Sequence, residues 1–359
     1  MITPDKVKEA LSNVIEPDLG KDLVTLNMVK DIAVDGRKVS FTVVLTTPAC
    51  PLKELIHNAC VNAVKHYVSQ EAEVEITMTA NTSSGKAGKS GIPGVKNIIA
   101  VASGKGGVGK STVAANLAAA LSQLGARVGL VDADIYGPSM PIMFDVEEEK
   151  PGVRMIDGKQ MMIPVESYGV KIMSIGFFAE TSQAIVWRGP MASKALTQLF
   201  NDAHWGELDY LIVDLPPGTG DIHLTLVSGI PLTGAIVVST PQKIALADAE
   251  KGVAMFRLPN INVPVLGIVE NMAWFTPEEL PENKYYIFGK DGAKELAARL
   301  GVPVLGQIPL VQSIREGGDV GHPVGLQQSG ALSDLFIRLA GAVAQQVAIR
   351  NAQPQTAEV

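Results

Sequence analysis

The run Gly104-Lys-Gly-Gly-Val-Gly109-Lys110-Ser111 constrains this chain more than any other feature. It has the spacing G-x-x-x-x-G-K-[ST], follows a short apolar run, Ile98 to Ala102, and precedes a stretch with Val113, Leu117, Leu121 and Leu124 at helical intervals. Strand, glycine-rich turn and helix in that order make a phosphate-binding loop. Glycines let the backbone turn its N–H groups toward phosphate oxygens, and the helix N-terminus adds positive potential. Lys110 is then placed to neutralise β- and γ-phosphate oxygens, and the Ser111 hydroxyl to ligate Mg2+. The expected ligands are ATP and Mg2+. The expected nucleotide-binding residues are Gly104, Lys105, Gly106, Gly107, Val108, Gly109, Lys110, Ser111 and Thr112.

Around this loop the chain alternates apolar runs with amphipathic stretches. The runs Ile98 to Ala102, Val128 to Val131, Tyr210 to Val213, Ala235 to Val238, Val265 to Val269 and Val304 to Ile308 have the length and branching of buried parallel strands. Such alternation predicts an α/β fold with a doubly wound, mainly parallel sheet, whose ligands sit at the carboxyl ends of its strands. Residues 80–96 are small, polar and rich in Gly and Pro, and read as a linker. Before it, Val39 to Leu45 and Glu73 to Thr79 alternate as strands, and Leu52 to Tyr67 recurs at helical spacing. The expected organisation is a small α+β domain over 1–80, a flexible linker over 81–96, a P-loop ATPase domain over 97–350, and a disordered tail over 351–359. The final helix, about Leu332 to Arg350, keeps Leu335, Leu339, Val343 and Val347 on one side.

Two further segments place carboxylates at strand ends. Val131-Asp132-Ala-Asp134-Ile-Tyr-Gly137-Pro-Ser139 follows the second large-domain strand, where a carboxylate can orient water or a hydrated Mg2+. Asp132 itself reads equally well as a turn or helix-capping residue. Leu211-Ile-Val-Asp214-Leu-Pro-Pro-Gly218 has the Walker B layout, with Asp214 holding Mg2+ through its waters. Pro216, Pro217 and Gly218 form a stiff turn able to set a backbone N–H against the γ-phosphate and to change shape when that group leaves.

Lys105 completes K-G-G-x-G-K-[ST] from Lys105 to Ser111, and here the sequence resembles the deviant Walker A ATPases. The resemblance implies a homodimer in which Lys105 reaches the partner's nucleotide and balances transition-state charge in trans. It also implies that Asp134 positions the attacking water, so that Lys105, Lys110 and Asp134 form the catalytic set, and that Asn271, after the strand ending at Val269, contacts the purine. A turn-forming asparagine is the other reading of Asn271. The Gly137 to Ser139 segment, Trp187-Arg188-Gly189-Pro190-Met191, the D-x-P-P-G-T-G-D run and a preceding small domain together resemble the Mrp/ApbC branch of iron-sulfur cluster carriers. Glu16-Pro-Asp-Leu-Gly and Thr46-Thr-Pro-Ala-Cys50-Pro51 resemble the domain found in iron-sulfur assembly factors. Clients of such a carrier are apo iron-sulfur proteins.

The branch usually has a C-x-x-C pair after its E-N-M segment; here Ala273 to Phe288 contains no cysteine. Cys50 and Cys60 are the only two in the chain. Cys50, just before Pro51, is read at a helix N-terminus, which favours a thiolate, and is the candidate cluster thiol; a packing residue is the equally weighted other reading. Cys60 shares an apolar stripe and reads as core, and the five histidines read as structural or solvated. A formal charge of -7 and no basic run argue against nucleic acid, and no apolar run reaches the roughly 18 residues of a membrane span. The expected location is the cytoplasm. The competing function is a nucleotide-switched assembly or positioning factor that holds no cluster.

Overall fold

The computed structural model describes residues 2–84, 91–178 and 189–353. The chain divides into two compact units, one formed by the residues up to Ser84 with those from Ala344 onward, the other by Gly85 to Val343. The linker residues 85–90 and the tail residues 354–359 lie outside the described residues.

In the larger unit eight strands form one sheet, in the order Val165–Ser167, Val170–Ser174, Val128–Asp132, Tyr210–Asp214, Ile98–Ser103, Gly234–Ser239, Val265–Glu270, Val304–Gln307. Every pairing is parallel except that of the first two strands. Ile98–Ser103, Val128–Asp132, Tyr210–Asp214 and Gly234–Ser239 are buried at every position. Strands buried on both faces select unbroken apolar runs rather than alternation, which is why they stand out in the sequence. From Ile98–Ser103 the chain crosses one way along the sheet to Val128–Asp132, and through the last three strands it runs the other way. That reversal parts the loops at the carboxyl ends of the central strands and opens a crevice there.

Several elements are absent from the sequence reading. Val170–Ser174 adds a parallel strand beside Val128–Asp132, and Gly152–Ile156 pairs with Lys159–Ile163 in a separate hairpin.

The amino ends of the three central strands are held together by one carboxylate. Asp209, just before Tyr210–Asp214, accepts from the Arg127 amide at 3.0 Å, the Arg127 guanidinium at 3.2 Å and the Lys96 ammonium at 3.0 Å. Burial opposes ionisation of Asp209, but these donors more than offset it and hold the carboxyl well below the usual carboxylate range.

In the smaller unit Lys38–Leu45 pairs antiparallel with Val29–Asp35 and parallel with Glu73–Ala80, the parallel crossover being made by the helix Lys53–Tyr67. Val39, Phe41, Val43 and Leu45 are buried at alternate positions and pack with Ile56, Cys60 and Val64 of that helix. The helix Pro4–Leu11 adds Val7 and Leu11, and Thr3 caps it by accepting from the Lys6 amide. The last helix, Ala331–Ala352, runs beyond the residue expected to start the tail. Within the smaller unit its Gln345 donates to Asp18 at 2.5 Å, and Asn351 donates to the Ser83 carbonyl at 3.1 Å. Among the described residues it is the one helix long and apolar enough to cross a membrane, and half of its apolar window is buried within the protein.

Asp209→Asn is expected to lower stability by about 1–3 kcal/mol at neutral pH. The carboxylate's contribution is complete above about pH 4 and is lost as the pH falls through its depressed folded value. Melting temperatures of mutant and wild type should therefore converge on acidification; a constant gap would refute the clamp.

Candidate functional site

Beyond Ser103 the chain enters the glycine-rich loop. Gly107 and Gly109 have φ of +80° and +79°, a region that a Cβ disfavours. Gly104 is required for a different reason: a Cβ there would stand 2.1 Å from the backbone carbon of Asp248 in the helix Lys243–Phe256. The loop ends in the helix Lys110–Gln123, whose first turn supplies amides with no carbonyl partner inside the helix.

Lys110, Ser111, Asp134 and Asp214 meet at the carboxyl ends of the strands. The Lys110 ammonium is 2.7 Å from Asp214 Oδ1, 3.3 Å from Ser111 Oγ and 3.5 Å from Asp134 Oδ2. Ser111 donates to Asp214 Oδ2 at 2.6 Å. Asp214 is fully buried, and that burial drives its carboxyl above the ordinary range although Lys110 favours the charged form. A hydroxyl and a carboxylate side by side are hard oxygen donors that suit Mg2+, and the neighbouring ammonium suits phosphate oxygens. The residues present therefore fit a magnesium–nucleotide complex.

Asp132 takes the turn and capping role. It is fully buried and accepts from the amides of Ser139 at 2.9 Å, Met140 at 3.0 Å and Asp134 at 3.3 Å, and from the Ser174 hydroxyl at 3.0 Å. Burial and the adjacent Asp214 push its pKa up to about 7. It thereby fixes the segment that carries Asp134. Ser174 escaped the sequence reading because its strand did, the run Val170-Lys-Ile-Met-Ser174 being short and interrupted by a lysine.

Asn271 lies against the phosphate loop, its Nδ2 donating to the Val108 carbonyl at 2.9 Å. A Cβ on Gly109 would come within 2.2 Å of that nitrogen. Beside it opens a cavity of about 400 Å3 lined by Gly109, Thr112, Met272, Leu310 and Ile314. Lys105 is half-buried in the loop, and its carbonyl accepts from Ser103 Oγ at 2.9 Å. The amide of Gly218, at φ +83°, donates to the Ser103 carbonyl at 2.9 Å, so the proline turn is docked on the base of the phosphate loop. Trp187 and Arg188 lie outside the described residues.

The cysteines belong to the smaller unit. Cys60 is buried, and burial pushes its thiol up to about 12, as befits a core residue. Cys50 corrects the expectation of an activated thiolate. The helix begins only at Lys53, and the half-buried Cys50 thiol is pushed up chiefly by burial, which outweighs the opposing hydrogen bond from the Leu52 amide, with smaller upward pushes from the nearby Asp18 and Glu16 carboxylates.

Phosphate loop, Walker B aspartate and doubly wound parallel sheet define a P-loop NTPase. Residues 94–344 match the family of NUBPL iron-transfer P-loop NTPases, and residues 4–78 match a family of iron-sulfur cluster assembly proteins. The chain belongs to the NUBPL iron-transfer P-loop NTPase family. It is 47% identical over 350 residues to an iron-sulfur cluster carrier protein of Synechocystis, covering 97% of this chain and 98% of that one. A carrier protein of Aquifex aeolicus is 43% identical, with 95% and 97% covered. A nucleotide-binding protein from Archaeoglobus fulgidus, solved with ADP, superposes with a TM-score of 0.58 at 36% identity, covering 68% of this chain and 93% of that one.

Lys110→Ala would strand Asp214 without its cation, a change expected to lower stability by about 3 kcal/mol at neutral pH. The folded pKa of Asp214, already raised, rises further in the mutant. Its stability is therefore near that of wild type below the unfolded carboxyl's value of about 4 and falls away as the pH climbs through the folded value. Thermal melts should show a larger deficit at pH 8 than at pH 5; the reverse order would contradict the pairing.

Proposed function

We propose that this protein binds ATP with Mg2+ on the loop Gly104 to Ser111, hydrolyses the ATP as a homodimer, and couples that cycle to carrying iron-sulfur clusters to client apoproteins. The observation that carries the reading is the convergence of Lys110, Ser111, Asp134 and Asp214 within 3.5 Å of the Lys110 ammonium. Ser111 and Asp214 would hold Mg2+, which when bound neutralises charge on the phosphate oxygens. Lys110 binds the phosphates. Asp134, with its side chain 13% exposed beside Lys110, is the one carboxylate of the group open to solvent and able to orient a water. Asp132, tied to four donors, keeps that segment in place. Thr112, Asn271 and the adjoining cavity would receive the nucleoside, the cavity falling within the roughly 300–1,000 Å3 of small-molecule sites. Lys105 would complete the site of the second subunit.

The carrier role draws on the names of the Synechocystis and Aquifex relatives and on the match of the smaller unit to cluster-assembly proteins. The cluster is cargo. Among the described residues no group of three or more His, Cys, Asp or Glu side chains is arranged to hold a metal ion. A cluster would therefore be bound through Cys50 of two subunits or shared with the client. The raised pKa of Cys50 favours the second reading, a nucleotide-switched assembly factor without a cluster, and keeps it in play. A cytoplasmic location is part of the proposal: Phe336, Leu339, Val343 and Val347 of the final helix are at most 1% exposed, which suits a helix of the protein interior.

Wild type should release phosphate from ATP, and Lys110→Ala should lose both binding and turnover; equal rates would remove the enzyme reading. Lys105→Ala should retain ATP binding yet fall by about 100-fold or more in kcat, a typical consequence of losing a charge-balancing cation. Mixing Lys105→Ala with a binding-defective subunit should restore part of the rate. Anaerobic reconstitution with iron and sulfide should give visible absorption that Cys50→Ser abolishes; a colourless wild type would favour the cluster-free reading.

A further inference from the structure

His223 is a buried polar side chain that the site as described leaves without a role. It lies on the helix Asp221–Gly229, directly after the proline turn, and is 2% exposed. Its Nδ1 is 3.1 Å from the Pro216 carbonyl oxygen, and its Nε2 is buried with no hydrogen-bond partner. The ring packs against Phe256, with centroids 5.9 Å apart. A carbonyl can only accept, so the proton of this imidazole sits on Nδ1. Burial, aided by the positive charge of Lys110, pushes its ionisation below the ordinary histidine range. The ring is therefore a neutral, single donor aimed at one carbonyl.

The choice of carbonyl matters. Pro216 and Pro217 have no N–H, so between the amide of Leu215, which donates to Val101, and that of Gly218, which donates to Ser103, the turn can be held only through its carbonyls. A phosphate that meets the Gly218 amide must take it from the Ser103 carbonyl. If the root of the turn is loose, the amide drifts with it; if the root is held, only the segment from Gly218 onward needs to move. His223 supplies that hold. It rests on Phe256 of the helix Lys243–Phe256, and the same helix presents Asp248 to Gly104, so the histidine and the phosphate loop share one support.

We infer that His223 is a positioning residue for ATP hydrolysis: through the Pro216 carbonyl it fixes the root of the turn that delivers the Gly218 amide to the phosphate. The inference rests on the reading of the loop Gly104 to Ser111 as an ATP-hydrolysing site. It predicts an effect on turnover rather than on nucleotide affinity, because the hydrogen bond of His223 goes to the proline turn and not to the phosphate loop.

The test compares three variants of the full chain. In His223→Asn the side-chain amide nitrogen falls near the position of Nδ1; in His223→Gln it falls near Nε2; His223→Phe keeps a ring and no donor. Asn should retain kcat to within about threefold, while Gln and Phe should each lose about tenfold or more, with the KM for ATP within about twofold throughout. Thermal melts with and without ATP check folding and binding, and if the Phe variant does not fold, the Asn and Gln pair decides. Wild-type turnover in Gln or Phe would overturn the inference, as would an Asn variant as slow as Phe, or losses seen in KM instead of kcat. A wild type that hydrolyses no more ATP than Lys110→Ala would overturn the ATPase reading and this inference with it. An active wild type with an indifferent His223→Phe would overturn this inference alone.

Discussion

One ammonium group organises this protein. Lys110 sits 2.7 Å from a fully buried Asp214 and 3.5 Å from Asp134, in a place where two carboxylates could not otherwise share so small a volume. Charges in a low-dielectric interior interact strongly, so the cation and the acids must be built together or not at all. The glycines that admit the lysine, the strand that ends in Asp214 and the turn that follows it are consequences of that requirement. Replacing part of this internal neutralisation by a nucleotide's phosphates is a small rearrangement of charge, which is what a site that binds and releases a polyanion needs.

Several other polar groups of the crevice hold backbone in this structure. Asp132 gathers the amides of Asp134, Ser139 and Met140, Asn271 holds the carbonyl of Val108, and the Gly218 amide holds the carbonyl of Ser103. Each buried donor or acceptor that is paired in this way fixes a piece of main chain at little free-energy cost, while an unpaired one would be expensive. Asp209 does the same at the opposite ends of the strands. The sheet is thus pinned at both ends by carboxylates whose surroundings act on them in opposite senses. The donors of Lys96 and Arg127 favour the charge on Asp209, and burial beside Asp214 disfavours it on Asp132.

Much of this was legible before any coordinates. Ile98–Ser103, Val128–Asp132, Tyr210–Asp214 and Gly234–Ser239 announced themselves as apolar runs because both of their faces are buried, and Lys110, Ser111 and Asp214 announced themselves by fixed spacing from those runs. Features that depend on distant partners did not. The environment of Cys50 is set chiefly by its burial in the folded unit, with a smaller contribution from Asp18 and Glu16, more than thirty residues earlier in the chain. The strand Val170–Ser174 carries a lysine and is recognisable only beside Val128–Asp132. The role of His223 depends on a carbonyl seven residues back, brought to it by a turn whose shape two prolines impose. Local pattern reveals elements; the pairing of one buried polar group with another is a property of the assembled fold.

The final helix carries an implication for how the protein is made. Its residues from Ala344 onward belong with the first 84 residues, so the smaller unit takes one component from chain that is translated after the larger unit. The nucleotide-binding unit, encoded between the two pieces, can close on itself while the N-terminal one still awaits Gln345 and Asn351 for its bonds to Asp18 and Ser83. Domains usually mature in the order of their synthesis. Here two hydrogen bonds of the smaller unit, those to Asp18 and Ser83, depend on residues translated after the larger one.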